Sequence, residues 1–309
     1  MPIENDLRDR CEKNGYERCI VSFIEILGFR RSIKIEHSSK VLKALTALRK
    51  FTRGDGNDEA PPTRMDEVRL YSQAYSESVA HAVVRVRTID TQSEDGPFLY
   101  ELYNLAMAQA ECVNQGLLIR GGTTIGCVHV GLDGQGPIFG DGMVRAYEMQ
   151  RDEAKYPRLL IDDMAIESFL SDPSLWQLGQ FDENDAEMAR NLIKQAEDGS
   201  FFVDYLRAME VGEFDDGELG RLRFLERHKN VVVTELNRAD DKTRRELIWV
   251  ARYHNDFVGE LRSQFEGGSS GAFEALVGTA PVAYFDSLLI KGAWSTFISD
   301  LADLTRAVG

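Results

Sequence analysis

Two glutamates stand in apolar, β-prone surroundings: Glu25 within Cys19-Ile-Val-Ser-Phe-Ile-Glu-Ile-Leu-Gly-Phe29, and Glu77 within Tyr71-Ser-Gln-Ala-Tyr-Ser-Glu-Ser-Val79. A carboxylate buried without a partner costs several kcal/mol, so each position implies a metal ion or a cationic side chain. Hard divalent cations take oxygen ligands, and two carboxylates brought together could hold them. A third segment, Leu117-Leu-Ile-Arg-Gly-Gly-Thr-Thr-Ile-Gly126, carries Arg120, and Ile138-Phe-Gly-Asp-Gly-Met-Val-Arg-Ala-Tyr-Glu148 carries Arg145. Together with the two glutamate segments they read as one catalytic domain.

The elements that must position these residues follow from pattern and punctuation. Residues 19–29 predict a strand closed by Gly28, followed by helix-compatible sequence to about Phe51 and a surface loop over Gly54–Pro62. Two strands are expected across Leu70–Val86, with a bend near Tyr75 and Ser76. The spacing of Leu99, Leu102, Tyr103, Leu105, Ala106, Ala110 and Val113 predicts an amphipathic helix stopped by Gly116. A buried strand over Leu117–Val130, a turn at Gly131–Gly136, a helix over Asp141–Ala154 and a strand at Arg158–Asp162 complete the series. The resulting order β, α, β, β, α, β, α, β describes an α+β sandwich around a mostly antiparallel sheet of ferredoxin-like kind. Residues 1–165 suffice for that domain, and 166–309 read as a mainly helical extension, with helices near 185–198, 241–264 and 286–307.

Composition narrows the function classes. The chain has 309 residues, 43% of them apolar, and a formal net charge of −15. That acidity argues against nucleic acid or an anionic membrane as a nonspecific partner, because phosphate backbones are held by surplus Lys and Arg. No segment approaches the roughly 18 consecutive apolar residues of a membrane span, and Met1-Pro-Ile-Glu-Asn-Asp6 is too polar for a signal peptide. A cytoplasmic location without membrane insertion is expected. The four cysteines and five histidines lack zinc spacing, and a chain this long needs no disulfide for stability. The glycine-rich loop at 131–136 has neither P-loop nor dinucleotide spacing.

Phe23-Ile-Glu-Ile-Leu-Gly-Phe29 resembles the first metal motif of class III nucleotidyl cyclases, which reads Phe-x-Asp-Ile-x-Gly-Phe, and Ser76-Glu77-Ser78 resembles the second. Arg120-Gly-Gly-Thr-Thr-Ile-Gly126, Phe139–Glu148, Ala154-Lys-Tyr-Pro-Arg158 and Trp249–Asn255 are similar to segments of the pyrimidine cyclases of Pycsar antiphage defence. The resemblance implies a catalytic domain in which the 3′-hydroxyl of a nucleoside triphosphate attacks its own α-phosphorus and expels pyrophosphate. It implies two divalent ions, Mg²⁺ or Mn²⁺, held by Glu25, Glu77 and the Ile26 carbonyl. Both family aspartates are glutamates here, and each extra methylene moves the carboxylate outward by about 1.5 Å.

The same resemblance places Gln73 where purine cyclases carry a base-reading Lys or Glu, and Pro137 at their second base-reading position. Gln73, with Tyr71, Tyr75 and Phe29, forms the expected substrate-binding set, and the amide of Gln73 suits a pyrimidine edge. The family's transition-state Asn and Arg fall on Val144 and Glu148, so Arg120 or Arg145 must supply that cation. For Arg145 an i, i+3 pair with Glu148 on a solvated helix face is the favoured reading, and Arg158 is a further candidate for phosphate contact. The expected substrate is UTP or CTP, the expected assembly a homodimer, and the cyclic product acts on a separate cyclic-nucleotide-responsive effector. Two alternatives stand beside this: a catalytically silent cyclase-like module that binds a nucleotide or partner, and a purine cyclase.

Overall fold

The computed structural model describes residues 3–53, 72, 74–130, 137–211, 217–265 and 271–292. The chain divides into two compact units, Met1–Gly212 and Glu213–Gly309.

The first unit opens with helix α1 (Ile3–Lys13), then strand β1 (Glu17–Ile26), helices α2 (Phe29–Ile35) and α3 (Ser38–Phe51), and strands β2 (Ala74–Val79) and β3 (Ala82–Thr88). Helix α4 (Pro97–Asn114), strand β4 (Ile119–Val128), helix α5 (Asp141–Glu148) and a π-helical turn (Met149–Glu153) follow. Strand β5 (Leu159–Ile161), helix α6 (Asp163–Ser171), a 3₁₀ turn (Pro173–Leu175), helix α7 (Glu183–Leu192), strands β6 (Ile193–Gln195) and β7 (Phe201–Val203) and helix α8 (Tyr205–Val211) complete it. The strands form one sheet in the order β2-β3-β1-β4-β5-β7-β6. Among the described pairs only β4 and β5 run parallel.

Period-2 alternation assigns the two faces of this sheet. Val21 and Phe23 of β1, Val84 and Val86 of β3, and Ala146 of α5 form one apolar cluster. On the opposite face, Arg85 and Arg87 of β3 reach Glu101 of α4. Arg85 Nε donates to Glu101 Oε1 at 2.7 Å, and Arg87 Nε donates to Oε2 at 2.7 Å. Glu101 is fully buried. Burial alone pushes its carboxyl up, but the two guanidinium groups outweigh that and hold it below the usual range.

Helix α5 lies close on β4 because glycines face each other there. A Cβ on Gly126 would fall 2.5 Å from the Gly142 Cα, and one on Gly122 would fall 2.4 Å from the Met149 Cβ.

The structure revises several expectations. The sheet does not end near 165: β6 and β7 extend it beyond β5, so the division between units falls at Gly212. Residues 193–198, read as helix, instead enter a hairpin, because Ile193 and Phe201-Phe-Val203 are β-prone and Gly199, at φ 83°, makes the turn. The expected bend at Tyr75–Ser76 lies inside β2, and the turn comes at Ala80–His81. Helix α1 carries no strong sequence signal, yet it is fastened to β4 by a disulfide between Cys11 and Cys127, 116 positions apart. No local spacing could have revealed that pair.

The second unit is helical where described: α9 (Gly217–Arg238), α10 (Asp241–Phe265), α11 (Gly271–Val277) and α12 (Pro281–Leu288). Most of the helix expected at 286–307 lies outside the described residues. His228 of α9 and His254 of α10 stack at 4.9 Å with Nδ1 atoms 3.0 Å apart, and His254 Nε2 donates to the Leu288 carbonyl at 3.1 Å. Asn255 closes the same joint, donating to the Ile290 carbonyl and accepting from its N–H. None of the described helices is long and apolar enough to cross a membrane.

Burial lowers the His254 pKa from 6.5 to about 4, and burial beside His254 pushes His228 well down. A proton is therefore bound by the unfolded chain below pH 6.5 but refused by the folded one until about pH 4. Stability should be unaffected above pH 7 and should fall across that window at about 1.4 kcal/mol per pH unit for each proton. Urea unfolding followed at pH 7, 6, 5 and 4.5 should show this decline, and His254→Gln should flatten it. The disulfide gives a second test. With the chain unfolded but unreduced, two thiols, Cys19 and Cys112, should react with a thiol reagent, and all four after reduction. Reduction should also cost about 2–4 kcal/mol of stability.

Candidate active site

Glu25 lies near the end of β1, opposite Arg120 of β4 and Ala82 of β3 in the sheet register. Its side chain is on the face shared with Phe23 and α5, and only 9% of the residue is exposed. Gly28, at φ 70°, turns the chain from β1 into α2 in the left-handed conformation that glycine accepts without strain.

Both oxygens of Glu25 are engaged. Arg120 donates to Oε1 from Nε at 2.8 Å and from Nη2 at 2.6 Å, while His81 Nε2 sits 3.1 Å from Oε2. Arg120 Nη1 also donates to the Ala154 carbonyl at 3.2 Å. The His81 ring stacks on Phe29 at 5.0 Å and 7° between planes. Four residues, from β1, β4, the β2–β3 turn and the start of α2, thus meet in one partly buried cluster. Its ion pair is the cationic partner that an apolar strand demands of a carboxylate.

Glu77 is on the same face of the sheet, since β2–β3 register sets it opposite Val84, which in turn faces Phe23. It is two strands across and two residues along from Glu25. Strand spacings of about 4.8 Å and rises of about 3.3 Å per residue put the two Cα atoms on the order of 12 Å apart. Glu77 Oε2 accepts the Ile138 N–H at 2.9 Å. Ile26, the last residue of β1, is buried opposite Ile119. As placed, Glu25 and Glu77 do not share a cation, and among the described residues no group of three His, Cys, Asp or Glu side chains could hold one. The arrangement therefore does not fit a preformed two-metal centre.

The other expected residues separate. Arg145 does not pair with Glu148. It bridges instead to Asp162, through Nε at 3.1 Å and Nη2 at 3.0 Å, and to Glu153. Asp162 ends β5 and also accepts from the Thr124 hydroxyl at 2.7 Å, so Arg145 ties α5 to the sheet. Its pKa rises further because these hydrogen bonds favour the charged form. Arg158 is 2% exposed, donates to Asp198 at 2.6 Å and lies over the Tyr156 and Phe202 rings, which is a packing role. Tyr75 is half-buried against the apolar cluster. Tyr71 and Gln73 lie outside the described residues.

No family model matches this chain, and no curated protein does. A solved structure, a double mutant of the guanylyl cyclase domain of the RhoGC fusion protein from the aquatic fungus Blastocladiella emersonii, aligns at TM-score 0.34 and 12% identity. That alignment covers 61% of this chain and 94% of that one. At such a level of likeness nothing about this chain follows from it.

His81 is the site residue that sequence reasoning missed. Its signal lay in the hairpin turn, which was concealed because Ala80, not glycine, takes the left-handed corner at φ 53°. That conformation costs an alanine about 1–2 kcal/mol, part of which glycine returns in unfolded-state entropy. Ala80→Gly should therefore stabilise the protein by up to about 1 kcal/mol in urea unfolding, whereas Ala80→Val should destabilise it by more than that.

Proposed function

We propose that the first unit is a nucleotidyl cyclase domain acting on a pyrimidine triphosphate, UTP or CTP, and releasing the 3′,5′-cyclic monophosphate and pyrophosphate. The observation that carries this reading is Arg120 seated on Glu25, at the end of the strand bearing the first cyclase-like motif and beside the left-handed Gly28 turn. In the reaction a 3′-oxygen to α-phosphorus bond forms, the bond to the pyrophosphate oxygen breaks, and the hydroxyl proton leaves. Arg120 offers the phosphoryl oxygens a fixed guanidinium, and charge stabilisation of that kind is usually the largest catalytic term. Phe29 and His81 present a flat stacked surface beside it. The reading includes Mg²⁺ or Mn²⁺, a homodimer, a cytoplasmic location and a signalling role in antiphage defence through a separate effector.

A second reading has a specific observation in its favour. With Glu25 neutralised by Arg120 and Glu77 bound to a backbone amide, the same surface suits a silent module that binds nucleotide or a partner without turnover.

Purified protein incubated with ATP, GTP, CTP and UTP plus Mn²⁺, with products identified by mass spectrometry, separates the two. A cyclic pyrimidine monophosphate is expected, and Arg120→Ala should lower kcat by about 10²–10³. A cyclic purine product would move the base preference. Binding without any cyclic product would establish the silent module.

A further inference from the structure

The formal charge of −15 conceals a local reversal. Helices α2 and α3, joined by Glu36 and His37, carry seven Lys and Arg between Phe29 and Phe51 against one acidic residue, Glu36, which Lys40 neutralises at 2.6 Å. Arg30, Lys34, Lys43 and Arg49 are exposed, and none of them has an acidic partner among the described residues. Apolar side chains share this surface: Ile33 and Ile35 of α2 are 55% and 64% exposed, and Leu42 of α3 is 61% exposed. None of the residues of α2 is buried, so the helix stands out as a ridge and lines no groove. On α3, Leu42 and Arg49 are seven residues apart, as are Lys43 and Lys50, so both pairs recur on the side turned from the buried Leu48.

A ridge of aliphatic tips set among cations suits one kind of partner best. Unstacked nucleic-acid bases take aromatic platforms, and the aromatic residues here, Phe29 and Phe51, are half-buried. Ile33 and Ile35, two positions apart, lie on opposite flanks of α2. A protein partner covering one flank would leave the other in water, whereas the interface of a bilayer surrounds both. That interface takes aliphatic tips at the acyl boundary and cations at anionic headgroups, each Lys or Arg adding affinity. The acidic residues elsewhere on the chain weigh little against this, because at physiological salt a charge is screened beyond about 8 Å.

We infer that α2 and α3 form a docking surface for an anionic lipid bilayer, with Ile33, Ile35 and Leu42 entering the headgroup boundary and Lys34, Lys43, Arg49 and Lys50 meeting the lipid anions. The contact is peripheral and salt-sensitive, and it spans nothing. It is independent of what the first unit does to nucleotides. Because Gly28 joins α2 to the strand that bears Glu25, docking holds the candidate site beside the membrane.

The test is sedimentation of the full chain with lipid vesicles in the absence of nucleotide. The unaltered protein should sediment with vesicles of phosphatidylcholine and phosphatidylserine, should stay in solution with phosphatidylcholine alone, and should be released by about 1 M salt, where the screening length falls to about 3 Å. Lys34→Glu with Lys43→Glu should weaken binding at least about thirtyfold, and Ile33→Ser with Ile35→Ser at least about tenfold. Lys242→Glu with Arg245→Glu, the same change of charge at exposed positions of the second unit, should leave binding unchanged. All four substituted side chains of α2 and α3 are exposed, and circular dichroism reports the folding of every variant. No sedimentation with the anionic vesicles, equal sedimentation with phosphatidylcholine alone, an equal loss in the second-unit variant, or undiminished binding in either α2–α3 variant would each overturn the inference. Retention on immobilised polyglutamate without sedimentation on vesicles would also overturn it and give the surface to an acidic polypeptide. The triphosphate assay decides the cyclase reading separately, since no vesicle enters it and no nucleotide enters this one.

Discussion

The ion pairs between Glu101 of α4 and Arg85 and Arg87 of β3 are the constraint on which the first unit depends. They bury three charges in the interior, and such a cluster tolerates little misplacement, because a charge left without its partner there costs several kcal/mol. Fixing Arg85 and Arg87 towards α4 fixes the parity of β3, and through the ladder that of β1 and β2. A slip of one residue would send every side chain to the opposite face. Glu25, Arg120 and Glu77 are therefore held on the α5 side by a salt-bridge cluster on the other.

Parity explains much of what was legible in the sequence. The runs Cys19–Ile26 and Ile119–Val128 are long, apolar and β-branched, and α4 has a clear helical period with Gly116 beyond its end, so these elements were readable locally. The carboxylate of Glu25 was readable for the same reason, since a charge in such a strand announces a partner. The identity of that partner was not. Arg120 is 95 positions away, and only the β1–β4 register brings it opposite. The Ala80 corner escaped because tertiary contact overrides its local preference, the disulfide because its cysteines lie 116 positions apart, and β6 and β7 because strands of three residues are too short to show a period. Arg145 and Arg158 illustrate the opposite failure: their types suited phosphate, but Asp162 and Asp198 had already claimed them.

Charge balance limits what the cluster can attract unaided. Glu25 and Arg120 cancel, and a nucleoside triphosphate brings several negative charges to a chain whose own net charge is −15. Binding such a ligand requires positive charge to be uncovered or imported, and Arg120 is the charge nearest to hand.

The facing glycines of β4 and α5 give the site an uneven mechanical character. With Gly126 and Gly142 in near contact there is no slack between helix and sheet, so α5 and β4 move as a single block. Across from them, Ser76 to Ala80 are exposed, and β2 pairs with β3 alone among the described strands. Compliance is thus concentrated in the wall that carries Glu77 and His81, while the opposing wall acts as an anvil. A ligand closing this site would bend the hairpin and leave the glycine-packed wall where it is.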